Sequence, residues 1–287
     1  MLQPSGSIEH CAQCNGTGWK SVEAANGAAY VVRCDCWRES VTRRLLADAR
    51  IPRRYQHCTL NDFVTYDNET LEDALARARK LAEAFPVVGR GLFFLGDPGV
   101  GKTHLAVAIV KQVVLTRGAR ALFYDTRDLL KVIRSTYNAV VKTTELEVLR
   151  PVMEADLLVL DDLGAEKTSE WVEETLNLIV NTRYNERRLT IFTSNYPDIP
   201  DDTDPQALLF RIGARMRSRL HEMCEFVVLD AADYRERPDN ASVEDLTAMW
   251  KLRNKSALPS PRGGRQARAQ LRDGKGDLKW SGGRAGS

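Results

Sequence analysis

No stretch of this 287-residue chain approaches the ~20 consecutive apolar residues that a membrane-spanning helix needs. No secretory leader is visible either, since the opening MLQPSGSIEH has no basic start followed by an apolar core. The expectation is a cytosolic protein with no membrane partner. No internal repeat is visible. Net charge is almost absent, with 41 Lys and Arg against 39 Asp and Glu. What is present is globular: 43% apolar and 28% charged residues. A chain this long buries roughly three quarters of its unfolded surface, in one large domain or two smaller ones.

The charge is unevenly spread. Residues 251–287 carry ten basic and two acidic side chains, so this tail is +8 and residues 1–250 are −6. A basic tail poor in apolar residues cannot fold alone. Composition leaves two roles open for it: holding nucleic-acid phosphate by counterion release, or keeping the protein soluble.

Four of the six cysteines cluster, as Cys11-Ala-Gln-Cys14 and Cys34-Asp-Cys36, with 19 residues between the pairs. In a reducing compartment such clustering favours metal over disulfide. Four thiolates close a tetrahedral Zn²⁺ site, which staples a segment too short for its own core. Asn15-Gly16-Thr17-Gly18 supplies the turn. The second pair has one intervening residue instead of two, and His10 is an alternative to one thiolate. The competing reading is a set of free structural thiols. Cys58 and Cys224 stand alone and are given no role.

The chain divides into a cysteine module with a short basic helix (1–50), an irregular linker (51–68) opening at the helix-breaking Ile51-Pro52, an α/β domain (69–236) and the tail (237–287). Leu71, Ala74, Leu75, Ala78 and Ala82 predict a helix, with Asp67 or Asn68 as cap and Pro86 beyond its end. Short apolar runs at 91–95, 121–124, 157–160, 189–194 and 226–229 read as five strands, with helical patterns such as 169–186 and 206–220 between them. That alternation means a five-stranded parallel sheet covered by helices on both faces. Ligands of such sheets sit beyond the carboxyl ends of the strands.

Gly96-Asp97-Pro98-Gly99-Val100-Gly101-Lys102-Thr103 matches G-x-x-x-x-G-K-[ST] in full, after a strand and opening a helix. Its backbone N–H groups wrap the phosphates of a nucleotide, with His104 next in line. Lys102 reaches the β- and γ-phosphates, and the Thr103 hydroxyl ligates Mg²⁺. The strand 157–160 runs into Asp161-Asp162. Asp161 would hold Mg²⁺ and Asp162 would orient or deprotonate the attacking water. Asn195 closes the next strand and can position that water, although alone it would read as a turn residue before Pro197. Arg211, Arg215 and Arg219 recur at i, i+4 and i+8, on one helix face, with Arg217 off it. Such a row is either a solvated surface or a source of arginine fingers for a head-to-tail neighbour.

In this order, GDPGVGKT, LLVLDDLG, TIFTSN and GARMRSRL resemble the AAA+ ATPases of the DnaC/DnaI/IstB group. The leading CAQCNGTGW…RCDCW and IPRRYQHCTLNDF are similar to the bacterial replicative helicase loaders of that group, and the resemblance covers about residues 8–236. It implies an initiator-type AAA+ fold, with Lys102 and Thr103 as Walker A, Asp161 and Asp162 as Walker B, and Asn195 as sensor 1. It makes Arg219 the arginine finger, with Arg215 second. It also implies an extra helix within 126–155, where Ser135, Tyr137 and Lys142 become candidates for single-strand contacts. The N-terminal module inherits a grip on the hexameric helicase. Two departures matter: no full lid follows residue 230, leaving only Arg235 and Arg237 for sensor 2, and the tail has no counterpart. The resemblance implies an ATP-driven switch that deposits a replicative helicase on single-stranded DNA and assembles head-to-tail with ATP. A transposition helper ATPase of the IstB type is the nearest alternative. A P-loop kinase and a non-hydrolysing zinc adaptor are rivals of other classes.

Overall fold

The computed structural model describes residues 11–23, 28–138, 143–166 and 169–236, with isolated positions between 242 and 251. His10, Lys142, Arg237 and the tail from 252 onward lie outside the described residues.

The expected five-stranded parallel sheet is present. Its strands are β3 (Gly91–Gly96), β4 (Ala121–Asp125), β5 (Leu157–Asp161), β6 (Leu189–Ser194) and β7 (Cys224–Leu229), in the order β4-β5-β6-β3-β7. All four pairings are parallel. Alternation along each strand divides the core in two. Leu92, Phe94, Phe123, Val159 and Ile191 face one cluster; Phe93, Leu95, Leu158, Leu160 and Phe192 face the other. The first cluster is closed by α2 (Glu69–Ala84) and α3 (Lys102–Arg117). The second is closed by α4 (Thr126–Ser135), α5 (Glu145–Glu154), α6 (Glu170–Asn185) and α7 (Leu208–Met223). The 126–155 interval thus holds two helices, α4 and α5.

Ahead of this body, β1 (Trp19–Glu23) and β2 (Ala29–Arg33) form an antiparallel hairpin, and α1 (Asp35–Asp48) follows. The helix expected over 37–50 is there. The hairpin is a finding of the structure, because strands this short carry too little alternation to show in sequence. Asn68 is the cap of α2: its Oδ1 accepts from Thr70 N and Leu71 N, while its Nδ2 donates to Asp230 O at 2.8 Å.

The segment read as a linker is irregular except for one 3-10 turn at Arg53–Tyr55. It is nevertheless packed against the sheet domain. Cys58, Leu60 and Tyr66 are buried in the first cluster. Lys111 of α3 donates to the carbonyls of Gln56 (2.6 Å) and Cys58 (2.8 Å). The end of α1 is fixed to the sheet edge, where Phe123 N donates to Ala49 O at 2.9 Å.

One expectation is corrected. The row Arg211, Arg215, Arg219 does not share one continuous helix face, because Gly213 takes φ 77°, ψ 157° and breaks α7. A single glycine within a helical period is tolerated often enough that spacing alone gives no sign of a break.

Arg183 of α6 is fully buried, and among the described residues no carboxylate is in ion-pair contact with it. Its guanidinium donates to the carbonyls of Val152, Met153, Ala155 and Leu189 and to Thr190 Oγ1, at 2.6–3.0 Å. It thereby satisfies the orphan carbonyls at the end of α5. Burial pulls its pKa down to about 9, which leaves it charged at neutral pH. Arg183→Met should destabilise the fold by roughly 3 kcal/mol or more, because several buried carbonyls lose their donor. Arg183→Lys should recover only part of that, since one ammonium cannot reach five acceptors. Denaturant midpoints of the two variants check both statements.

Candidate functional site

The phosphate loop joins β3 to α3. Gly99 has φ 82° and a Cβ there would sit 1.6 Å from the Asp233 carboxylate; Gly101 has φ 103° and a Cβ there would meet the Phe63 ring at 2.5 Å. At both positions the positive φ favours glycine, and a side chain would also have to displace a neighbour. The loop places the start of α3, with its positive end, at the sheet's carboxyl edge. Lys102 is buried, and its Nζ donates to the carbonyls of Gly96 (2.7 Å) and Asp97 (2.8 Å). Burial brings the ammonium down to about 8, against the opposing pull of Asp161, Asp162 and Asp97.

Strand order brings the acids to the same place, because β6 lies between β5 and β3. Asp161 is buried and pushed up to about 6, by burial first, with hydrogen bonds from Thr193 and Thr103 opposing. Thr103 Oγ1 donates to Asp161 Oδ1 at 2.9 Å. The Thr193 hydroxyl donates to the same oxygen at 2.7 Å and accepts from Asp162 N at 2.9 Å. Asp162 sits at φ 59°, a left-handed conformation of the kind held under strain at functional sites. Its Oδ1 accepts from Asn195 Nδ2 at 2.7 Å, and its Oδ2 pairs with Arg127 at 3.0 Å.

Lys102, Thr103, Asp161, Asp162 and Asn195 therefore converge on one cleft of about 690 Å³. Two contributors were missed by sequence reasoning. Arg127, in the first turn of α4, takes half of the Asp162 carboxylate. The segment around Arg54, Tyr55, Phe63 and Tyr66 forms a wall of the cleft, with Tyr234 and Arg235 beside it. His104 also lines the cleft, but its ring Nε2 lies 2.9 Å from Thr59 O and its ring meets Phe63 edge-on, so the side chain braces that wall. Arg219 is not among the residues of its own cleft; its Nη1 donates to Arg215 O at 3.4 Å on α7.

The donor sets fit the expected ions. The Thr103 hydroxyl and Asp161 carboxylate present hard oxygens side by side, as Mg²⁺ requires. In the N-terminal module, the Sγ atoms of Cys11, Cys14, Cys34 and Cys36 all lie within 4.8 Å of one another. The pairs Cys11–Cys34 and Cys14–Cys36 are 3.7 and 3.4 Å apart. Tetrahedral Zn–S bonds of ~2.3 Å set sulfur separations of about 3.8 Å. The Gly18 amide also donates to Cys14 Sγ, at 3.4 Å.

Comparison with known proteins places this geometry. The sequence model of the family described as IstB-like ATP binding protein matches residues 31–241, well over half of the chain. The chain belongs to that family. Among the members similar to this IstB-family chain is the replicative helicase loader DnaC of Buchnera aphidicola subsp. Baizongia pistaciae, 28% identical over 62% of this chain and 69% of that protein. The replicative helicase loader DnaC of Escherichia coli K12 is 30% identical over 49% of this chain, which spans 56% of that protein's length. A crystal structure of the DnaC helicase loader superposes with a TM-score of 0.53 at 36% identity, covering 62% of this chain and all of that one. The fold is thus the AAA+ P-loop fold of the DnaC/IstB group. No helix among the described residues is long and apolar enough to cross a membrane.

Two outcomes follow from the donor sets. Asp161→Asn removes a buried carboxylate, so the nucleotide-free protein should melt several degrees higher. The same variant should lose the Mg²⁺-dependent part of the ATP-induced rise in Tm; an unchanged Mg²⁺ response would move the metal elsewhere. Elemental analysis should find one zinc per chain, absent from Cys34→Ser and removed by a strong chelator with loss of order in the hairpin.

Proposed function

We propose that this chain hydrolyses ATP and uses ATP binding and hydrolysis to deliver a replicative hexameric helicase onto single-stranded DNA. The observation that carries hydrolysis is the separate orientation of the two acids: the Thr193 hydroxyl donates to the Asp161 carboxylate and accepts from the Asp162 backbone amide, while the Asp162 carboxylate is held by Asn195 and Arg127. Asp161 is turned toward Thr103, where the pair would hold Mg²⁺. Asp162 is turned toward Asn195, where the two would orient the attacking water and Asp162 would take its proton. Mg²⁺, when bound, would neutralise charge on the phosphates. Lys102 would exchange the carbonyls of Gly96 and Asp97 for phosphate oxygens, an exchange that only a charged ligand repays.

The loader reading is supported by the relatives, several of which are named replicative helicase loaders, and by an aromatic cluster at the start of α6. Trp171 meets Tyr137 edge-on at 6.3 Å and donates to its hydroxyl at 3.2 Å. Arg134 lies 4.6 Å over the Trp171 ring, and Tyr137 is 56% exposed. Aromatic side chains on which bases can stack, with an arginine beside them, are how single strands are held without sequence preference. Ser135 and Tyr137 were expected here from the resemblance; Trp171 was not. Head-to-tail copies would receive Arg219, or Arg215, from a neighbour, so an isolated protomer turns over slowly. The zinc module and α1, as residues 1–50, would grip the helicase.

ATP turnover with single-stranded DNA tests this. Lys102→Ala should lose at least ~100-fold, and Arg219→Ala roughly as much, with activity poisoned when either is mixed into wild type. Trp171→Ala should weaken single-strand binding roughly tenfold while leaving ATP affinity alone. Full activity in Lys102→Ala would end the enzyme reading. Recovery of a transposase instead of a helicase in a pull-down from the native host would favour the transposition helper.

A further inference from the structure

Arg215 and Arg219 can serve a neighbouring copy only if the helix segment that carries them is fixed to its own protomer. The break at Gly213 separates that segment, 214–223, from the first part of α7. The first part is held independently: Arg211 donates to Pro205 O at 2.8 Å and lies 4.5 Å over the Tyr196 ring. Apolar burial of Met216 and Leu220 holds the second part against the sheet. At its far end, Arg90 donates to the carbonyls of His221, Glu222 and Cys224.

Two side chains from outside α7 grip side chains of the segment: Tyr184, whose hydroxyl donates to Glu222 Oε2 at 2.7 Å near its end, and Asp198, which alone of the two holds Arg217 between the candidate fingers. Asp198 lies three positions beyond Asn195, on a loop tied by Ile199 N and Leu208 N, which both donate to Pro197 O at 2.9 Å. Its Oδ1 accepts from Arg217 Nε at 2.5 Å, and His221 Nε2 lies 3.0 Å from its Oδ2. One carboxylate therefore holds two side chains at i and i+4 of one face. The Asp198 side chain is only 16% exposed and that of Arg217 24%, which makes the pair stiffer than a surface ion pair. Arg217 is two residues from both Arg215 and Arg219, about 200° around the helix. Pinning Arg217 inward turns the other two outward.

We propose that Asp198 is a positioning residue for the arginine finger: through Arg217 and His221 it fixes the rotation of segment 214–223 and so presents Arg219 to the nucleotide of the next copy. This rests on the trans-arginine reading above. It also explains Arg217, which is off the finger row, as the internal anchor of that row.

The test exploits the fact that donor and acceptor are different molecules. Asp162→Asn protein, expected to bind ATP without hydrolysing it, serves as donor, and Arg219→Ala protein serves as acceptor; their mixture should regain turnover. Adding Asp198→Asn to the donor should cut the regained turnover roughly tenfold or more, because a misplaced finger is nearly as poor as none. Adding it to the acceptor should leave the mixture within about twofold, and Asp198→Glu in the donor should restore most of the loss. Melting curves of the Asp198 variants identify any global loss of fold, which would harm both sides equally. Equal loss on both sides, or no loss in the donor, overturns the role of Asp198 while the trans-arginine reading stands. Wild-type turnover by Arg219→Ala alone overturns that reading and the proposal together.

Discussion

A buried carboxylate beside a buried ammonium, with no direct bond between them, is the constraint on which the rest of the site depends. Asp161 is stabilised by hydroxyls, Thr103 on one side and Thr193 on the other. Lys102 is stabilised by its own loop's carbonyls. Each group is held, by partners that a triphosphate and a divalent ion can displace or join. Desolvation raises one and lowers the other, so the nucleotide-free state stores part of the free energy that ligand binding releases. The parallel sheet exists, in functional terms, to bring β3, β5 and β6 to the same edge.

Much of this was legible in the sequence because it is local. The phosphate loop is eight consecutive residues, the acids follow an apolar run, and Asn195 ends the next strand. The residues that stayed hidden act across the fold. Arg127 matters only because β4 lies beside β5, which sets α4 over Asp162. The wall around Tyr55 and Phe63 looks like a spacer in one dimension, since several of its carbonyls find their donors far along the chain, on α2 and α3. Thr193 reads as an ordinary strand residue until its hydroxyl is seen between two carboxyl-bearing positions. Gly213 was invisible for the opposite reason: periodicity continues through it, although the helix does not.

The loop after β6 ties the cleft to α7. Residues 195–198 give Asn195 to the cleft of their own protomer, Tyr196 to Arg211 and Asp198 to Arg217. The backbone between them is short and turned back on Pro197. A displacement at one end therefore has little slack in which to dissipate before it reaches α7.

The hydrogen bond from Phe123 to Ala49 has a consequence for assembly. β4 forms one margin of the sheet, and a bare margin is a template for adding a foreign strand. With the central outward amide of that five-residue strand already taken by the chain's own backbone, and Arg50 laid 5.0 Å over Tyr124 beside it, this border is sealed from within. A foreign strand would have to displace that hydrogen bond before it could pair with β4, so the chain's own backbone guards this margin of the sheet.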